Sequence, residues 1–381
     1  MSEPSSPRPL SWYARTAART LRSVPAPSAV RAFHASLPGY APTPLTELPD
    51  LAAELGVGRV FVKDESSRLG LPAFKTLGAS WAIHRVLEET SARPVTLVTA
   101  TDGNHGRAVA RTARLLGQRA HVFVPQGVHP AAAAAIAAED AQVTQVDGPY
   151  DEAVCQAADL AASAPDSVLV QDTAWEGYER IPGWIVEGYS TLFAEIDAQL
   201  AAADAESPGL LAVPVGVGSL AQAAVAHYRS RPGARSPALL AVEPDAAACV
   251  LQSLVHGSPL SVDTGVTAMA GLNCGTPSSI AWPLLRDGLD AAIAVTDADS
   301  ARAAQDLAAL GVGSGPCGAA SLAGVRAAHT GDGADGRRRA LALAPDAALV
   351  LLSTEGTDAN PHLADAASHR ADADPRIRKG L

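Results

Sequence analysis

The chain has 381 residues, is 48% hydrophobic and carries a formal net charge of −11, with an isoelectric point near 5.3. This length and apolar content support two domains or one large α/β unit with a sizeable core. The acidic balance leaves no basic stripe to neutralise phosphates, which argues against nucleic-acid and anionic-membrane partners, and the most apolar runs, such as residues 131–138, are too short to span a bilayer.

The first 35 residues are basic and serine-rich, with Glu3 their only acid. No compact apolar stretch with a cleavage site follows, so they read as a partly ordered basic leader, set at residues 1–30, and not as a secretion signal. From residue 58 onward short β-branched runs alternate with amphipathic or alanine-rich stretches. The runs predict strands over 59–62, 95–99, 120–124, 142–146, 167–171, 210–215, 239–242, 291–295 and 348–352. Helical windows fall at 105–116, 131–139, 150–162, 184–203, 220–228, 300–310 and 319–328. Strands separated by helices of this length imply right-handed crossovers and mostly parallel sheets covered on both faces. Most of the strands are continuous apolar runs, as burial on both faces requires. Ligands of such open sheets bind beyond the carboxyl ends of the strands. No internal repeat is present. Cys155, Cys249, Cys274 and Cys317 are widely spaced, without the paired spacing of a structural zinc site, and no metal is expected.

Only three lysines occur, Lys63, Lys75 and Lys379, and arginine carries the remaining positive charge. Lys75 sits in Leu71-Pro72-Ala73-Phe74-Lys75-Thr76-Leu77-Gly78, an apolar, small-residue setting. Lost hydration disfavours the ammonium there and predicts a pKa lowered towards neutrality. A neutral amine is what forms a Schiff base with a carbonyl cofactor. A lysine snorkelling from a helix end is the plainer reading.

Three loops lie at the right places around it. Thr99-Ala100-Thr101-Asp102-Gly103-Asn104-His105-Gly106 runs from a strand into a helix, where glycines let backbone approach a ligand and the helix start offers free N–H groups. Asp102 is placed to act on a bound substrate, or it is an ordinary helix cap. Gly216-Val217-Gly218-Ser219-Leu220 again leads a strand into a helix and could cradle a phosphate. Gly313-Ser314-Gly315-Pro316-Cys317-Gly318 matches the dinucleotide fingerprint by letter, but it follows a helix and contains Pro316, so that reading is discarded. At the end of the last strong strand, Ser353 and Thr354 offer hydroxyls for a heteroaromatic nitrogen, or serve as turn residues. Lys75 for an aldehyde, Asn104 for a ring oxygen, residues 216–220 for a phosphate and Ser353 or Thr354 for a ring nitrogen together match the handles of pyridoxal phosphate.

The sequence resembles the fold-type II pyridoxal-phosphate enzymes, the tryptophan synthase β-like superfamily, and within them most closely the diaminopropionate ammonia-lyases. The resemblance runs from about Phe33 to about Gly356. It is carried by Phe33-His34, Leu37-Pro38-Gly39-Tyr40, Pro42-Thr43-Pro44-Leu45, Val62-Lys63-Asp64-Glu65-Ser66 with Arg68, Ala73-Phe74-Lys75 and the loop at 101–106. Gln171-Asp172-Thr173-Ala174-Trp175-Glu176-Gly177-Tyr178, Ile181-Pro182, Trp184, Gly188-Tyr189, Val242-Glu243-Pro244, Met269-Ala270-Gly271-Leu272 and Leu352-Ser353-Thr354-Glu355-Gly356 complete it. Many superfamily relatives carry Ser where this chain has Asp102. The resemblance departs at Pro316-Cys317 and in the basic leader.

What this resemblance implies is a fold of two open, mostly parallel twisted sheets flanked by helices, with pyridoxal phosphate between two domains. Residues 1–90 and 190–381 would form the large domain and 91–189 a small mobile one. The activity implied is α,β-elimination of 2,3-diaminopropionate, D and/or L, to pyruvate and ammonia, in a cytoplasmic homodimer. Lys75 would carry the cofactor and take the α-proton of the L isomer, and Asp102 would take that of the D isomer. Asp172 would hold the distal ammonium or tune Asp102, two nearby carboxylates raising one another's pKa. A neutral hydroxyl at the ring nitrogen would favour elimination over transamination. Cys249 and Cys274 stand where some relatives carry a cysteine pair, although a bridge is not expected in a reducing cytoplasm. The rival readings are a same-fold enzyme of β-replacement or serine/threonine-type deamination, a catalytically silent ligand-binding relative, and a Rossmann dehydrogenase. The presence of Lys75, Asp102 and Asn104 speaks against the second, and the missing strand-linked glycine fingerprint against the third.

Overall fold

A computed structural model describes residues 11–15, 17–90, 94–231 and 236–360. Residues 1–10 of the expected leader and Lys379 lie outside the described residues. The strands are β1 Trp12–Ala14, β2 Leu45–Glu47, β3 Arg59–Asp64, β4 Thr96–Ala100, β5 Arg119–Val124, β6 Gln142–Gln145, β7 Ser167–Leu169, β8 Leu210–Pro214, β9 Ala238–Pro244, β10 Ala291–Val295 and β11 Ala348–Ser353. The helices are α1 Ala29–Ser36, α2 Pro49–Leu55, α3 Lys75–Glu89, α4 Asn104–Leu115, α5 Pro130–Ala137, α6 Tyr150–Ser163, α7 Arg180–Ala202, α8 Ser219–Arg229, α9 Cys249–His256, α10 Trp282–Gly288, α11 Asp297–Ala309, α12 Pro316–His329 and α13 Ala334–Leu341.

Seven strands form one sheet in the order β1-β10-β9-β8-β11-β3-β2, and four form a second in the order β6-β5-β4-β7. The second sheet is parallel throughout. In the first, β10, β9, β8, β11 and β3 run parallel, and β1 and β2 close the two edges antiparallel. All nine predicted strands are present. The two that escaped prediction, β1 and β2, are three-residue edge strands too short to carry a period. Part of the expected leader is thus a sheet edge, with Trp12 opposite Ile293. Among the described residues no helix is long and apolar enough to cross a membrane.

The central strands are continuous apolar runs because alternate residues enter different cores. Leu211, Val213, Leu239, Ala241, Val350 and Leu352 point into one core. Leu210, Ala212, Leu240, Val242, Leu349 and Leu351 point into the other, beside Ala319, Leu322 and Ala323 of α12. Burying both faces leaves no polar side, so a hydrophobic run replaces alternation. The first core also takes Leu97 and Val122 of the smaller sheet, so the two sheets share one apolar layer.

Helix α3, absent from the sequence reading, runs through that layer. Thr76 through Ile83 are all buried, which removes the amphipathic stripe that marks a surface helix. It packs directly on α7. A Cβ at Gly78 would lie 2.5 Å from Tyr189 Cε1, and one at Gly188 would lie 2.4 Å from the Leu77 carbonyl oxygen. Only glycine at both positions allows this approach, which fixes the height of Lys75 at the start of α3. Helix α12 begins at Pro316, the residue expected to interrupt the glycine run there, because proline is well suited to a first helical position.

A candidate active site at the carboxyl ends of the strands

Four loops converge from the carboxyl ends of parallel strands. Residues 101–106 follow β4, Asp172 follows β7, residues 216–220 follow β8, and Thr354 and Glu355 follow β11. This is where an open α/β sheet binds ligands. Lys75 meets them from the first turn of α3.

Lys75 Nζ donates to Asp172 Oδ2 at 2.6 Å. The Lys75 side chain keeps 22% of its surface exposed and that of Asp172 keeps 11%. Desolvation is the largest single influence on Lys75 and lowers its pKa, but the charge and hydrogen bond of Asp172, with Tyr189, outweigh it. The pKa therefore lies above the ordinary lysine range, which corrects the expectation of a lowered one. The sequence contained the burial but not the partner. Asp172 itself is held well below the ordinary aspartate range. Burial works to raise its pKa, and the charge that His105 acquires only in acid, with the charge and hydrogen bond of Lys75, overcomes that. The two carboxylates therefore do not raise one another: Asp102 alone is pushed up, to about 6, by burial and then by the Asp172 charge. Asp102 remains an exposed residue, and solvent screens part of that shift.

The stretch after β7 is folded to present Asp172. Trp175 and Tyr178 pair across a tight turn with Gly177 at φ +86°, and their rings stack at 4.5 Å. The Tyr178 hydroxyl accepts from the Gln171 N–H at 2.9 Å and donates to the Leu169 carbonyl at 2.9 Å. The Ser219 hydroxyl donates to the Asp172 carbonyl at 3.1 Å, tying this loop to the 216–220 segment.

Residues 216–220 form an open turn. Gly218 has φ +99° and caps α8, a conformation that suits glycine. The first α8 hydrogen bond runs from the Gln222 N–H to the Gly218 carbonyl at 2.8 Å, which leaves the preceding N–H groups without helical partners. A Cβ at Gly216 would lie 2.9 Å from Cys274 Sγ and 3.2 Å from the Gly271 carbonyl oxygen. Val217 accepts from the Ser278 N–H at 2.9 Å. Backbone N–H groups at a helix start suit a phosphate.

Asn104 Nδ2 donates to Glu355 Oε2 at 2.8 Å. Glu355 Oε1 also accepts from Asn360 Nδ2 at 2.8 Å and from the Cys317 N–H at 3.2 Å. The Ser353 hydroxyl is fully buried and donates to Ser314 Oγ at 2.8 Å. Thr354 accepts from the Phe74 N–H through its carbonyl at 3.2 Å, and its hydroxyl makes no hydrogen bond to a described residue. Every residue singled out from the sequence thus lies on these converging segments. Hydrogen bonds join Lys75, Asp172 and Ser219 in one set, and Asn104 and Glu355 in another.

Three residues here were not singled out. Glu355 anchors Asn104. His105 is buried beside Asp172. The Tyr150 hydroxyl accepts from Gln171 Nε2 at 2.7 Å, and burial, then the charges of Asp172 and Asp102, push its pKa well up, keeping the phenol neutral. For His105 and Glu355 the sequence signal was their place in the quoted motifs. Tyr150 carried none.

Other motif residues prove to be scaffolding. Lys63 Nζ donates to Glu195 Oε2 and the Thr43 carbonyl, both at 2.7 Å. Arg68 donates to Glu65 and to both Glu195 oxygens. All four charged side chains are buried, and two cations balance two carboxylates. His34 joins Thr191 Oγ1 at 2.7 Å and the Leu77 carbonyl at 3.0 Å, bracing the first turn of α3. Glu243 accepts the Val250 and Leu251 N–H groups at the start of α9, and Cys249 on that helix faces the Gly216 carbonyl at 3.7 Å. All four cysteines are free thiols.

The family model for pyridoxal-phosphate dependent enzymes matches residues 36–346. Diaminopropionate ammonia-lyase of Salmonella typhimurium is 40% identical over 297 residues, 72% of this chain and 73% of the relative. The enzyme of that name from Escherichia coli is 36% identical over 351 residues, 86% of this chain and 87% of the relative. A crystal structure of the E. coli enzyme in complex with D-serine superimposes with a TM-score of 0.83 at 32% identity, covering 94% of this chain and 96% of that one. The chain belongs to the pyridoxal-phosphate dependent enzyme family, in its diaminopropionate ammonia-lyase branch.

Proposed function

We propose that this chain eliminates ammonia from 2,3-diaminopropionate, as the D or the L isomer or both, to give pyruvate and ammonia with pyridoxal phosphate as cofactor. The observation that carries the reading is the lysine ammonium 2.6 Å from a carboxylate, with that carboxylate's own backbone tied to an open phosphate cradle. The residues fit the cofactor: the turn at 216–220 needs glycine where a side chain at Gly216 would run into Cys274 and Gly271, and Lys75 is the one described lysine outside the buried ion cluster. Lys75 would take the aldehyde, Asn104 the ring oxygen, Gly216, Val217, Gly218, Ser219 and Leu220 the phosphate, and Ser353 or Thr354 the ring nitrogen. When bound, the cofactor withdraws electrons from the substrate Cα, which is the chemistry elimination needs.

The chain's own groups then divide the work. Lys75 takes the α-proton of the L isomer as the free amine, after giving up its ammonium proton, and Asp102 takes that of the D isomer. Asp102, with a pKa near 6, is ionised at neutral pH yet basic enough to accept a proton. Asp172 stays ionised and holds the distal ammonium. Asn104 must exchange its Glu355 contact for the ring oxygen or serve both with its two N–H bonds. The same reading takes the protein as a cytoplasmic homodimer and residues 91–189, which include β4 to β7, as a small domain moving against the remainder.

An absorbance scan of the purified protein, followed by addition of each isomer, tests this. A bound-cofactor band near the visible edge and release of pyruvate and ammonia without a second substrate are expected. A colourless protein, or a product formed only when a nucleophile is added, contradicts it, the latter in favour of β-replacement.

A further inference from the structure

His105 is buried beside the Lys75–Asp172 pair, and the proposed chemistry leaves it idle. It is 5% exposed and lies in the first turn of α4. Its Nε2 is 2.8 Å from the Val170 carbonyl oxygen. A carbonyl only accepts, so Nε2 carries the ring proton and Nδ1 presents a lone pair. Burial is the main influence on this ring and lowers its pKa, which keeps it neutral. Nδ1 has no hydrogen-bond partner and stands 3.8 Å from Asp172 Oδ2, too far for a bond between them. Two acceptors therefore lie 3.8 Å apart with no hydrogen bond between them. Such a gap is satisfied by a donor that carries more than one N–H. Lys75 already shows the kind of group, since its primary ammonium rests on the same Asp172 oxygen at 2.6 Å.

We propose that His105 Nδ1 and Asp172 Oδ2 together receive the distal ammonium of the substrate, and that His105 is a specificity-determining residue separating 2,3-diaminopropionate from its hydroxyl analogue serine. This rests on the reaction proposed above. An ammonium has three N–H bonds and can give one to each acceptor, whereas a hydroxyl has a single proton and no charge. The group also suits departure. The electron pair of the breaking Cβ–N bond goes to nitrogen, the ammonium becomes neutral ammonia, and no acid has to protonate it. The leaving ammonia then loses its charge attraction to Asp172.

Two variants test the role. His105→Gln can keep the link to the Val170 carbonyl but lacks an acceptor at the Nδ1 position, and His105→Asn keeps an acceptor there but lacks the link. For His105→Gln, kcat/KM with diaminopropionate is expected to fall about 10- to 100-fold, the loss of one hydrogen bond to a charged group. The dissociation constant of D-serine, read by titrating the bound-cofactor absorbance, should stay within about twofold, because no charged-group hydrogen bond is removed from that ligand. His105→Asn should recover part of the diaminopropionate loss, and the cofactor spectrum and melting temperature of both variants should match the parent. Equal losses for both ligands, or no loss for diaminopropionate, overturn the inference. A parent enzyme that releases no pyruvate from diaminopropionate is a different result, and it overturns the reaction as well.

Discussion

Lys75, at the start of α3, and Asp172, just after β7 of the smaller sheet, meet through a 2.6 Å charge-assisted hydrogen bond. The pair sets the protonation of both: Lys75 is held as an ammonium despite its burial, and Asp172 as a carboxylate despite its own.

Cofactor uptake should therefore be limited by the neutral fraction of Lys75. A raised lysine pKa leaves that fraction small at neutral pH and lets it grow roughly tenfold per pH unit. The rate at which cofactor-free protein takes up pyridoxal phosphate should rise across about pH 6 to 9, a window below the ordinary lysine pKa. Asp172→Asn leaves burial dominant, so its uptake should be faster near neutrality and flatter with pH. Rates followed by absorbance decide this.

Asp102 should govern the D isomer alone. Its pKa is raised to about 6, so the base is present above that value and is lost as pH falls through it. The D-isomer rate should decline on the acid side near pH 6 with no matching limb for the L isomer. Asp102→Asn should lower D-isomer kcat by about 10²–10⁴-fold, the usual contribution of a positioned base, and leave L-isomer turnover little changed. Pyruvate release from each isomer across pH measures both effects.

The proposed phosphate cradle would depend on two glycines. Gly216→Ala puts a methyl group 2.9 Å from Cys274 Sγ, and Gly218→Ala forces a side chain into φ +99°, a strain of about 1–3 kcal/mol. Both should weaken cofactor binding in an equilibrium titration, with added pyridoxal phosphate raising the melting temperature less than in the parent.

Glu195 pairs with two buried cations, Lys63 and Arg68. Glu195→Ala would leave Lys63 and Arg68 short of a partner, and breaking a buried ion network in this way costs about 3–5 kcal/mol. Burial raises the Glu195 pKa, but Arg68 and Lys63 together bring it below the ordinary glutamate value. Its contribution is therefore present above the unfolded glutamate pKa and lost as pH falls through the lower folded one. Thermal unfolding at neutral and acid pH should show a large deficit in the variant that narrows on acidification.

The sequence revealed much of this fold because its central strands are buried twice over, as the division of Leu211 and Leu210 between two cores makes plain. Three-residue edges such as Leu45–Glu47 and a helix whose first turns are buried all round, as residues 76–83 of Lys75–Glu89 are, carry no period there and stayed hidden. At the site, each loop was visible as a strand running into a helix or turn. The partners were not. Lys75 and Asp172 are 97 residues apart and Asn104 and Glu355 are 251 apart, so the ammonium state of Lys75 and the anchoring of Asn104 arise only in the folded chain. The lone pair on His105 likewise depends on the Val170 carbonyl. Lys63 and Arg68, which carry the family resemblance, form a buried ion cluster.

Borohydride reduction of the cofactor-loaded protein, followed by peptide mass mapping, tests the role of Lys75 most directly. The phosphopyridoxyl mass should be found on the peptide carrying Lys75 and should be absent from the one carrying Lys63, whose amine is fully buried in the ion cluster. A reduced adduct on any other lysine, or none at all in protein that has bound the cofactor, would contradict the assignment of Lys75.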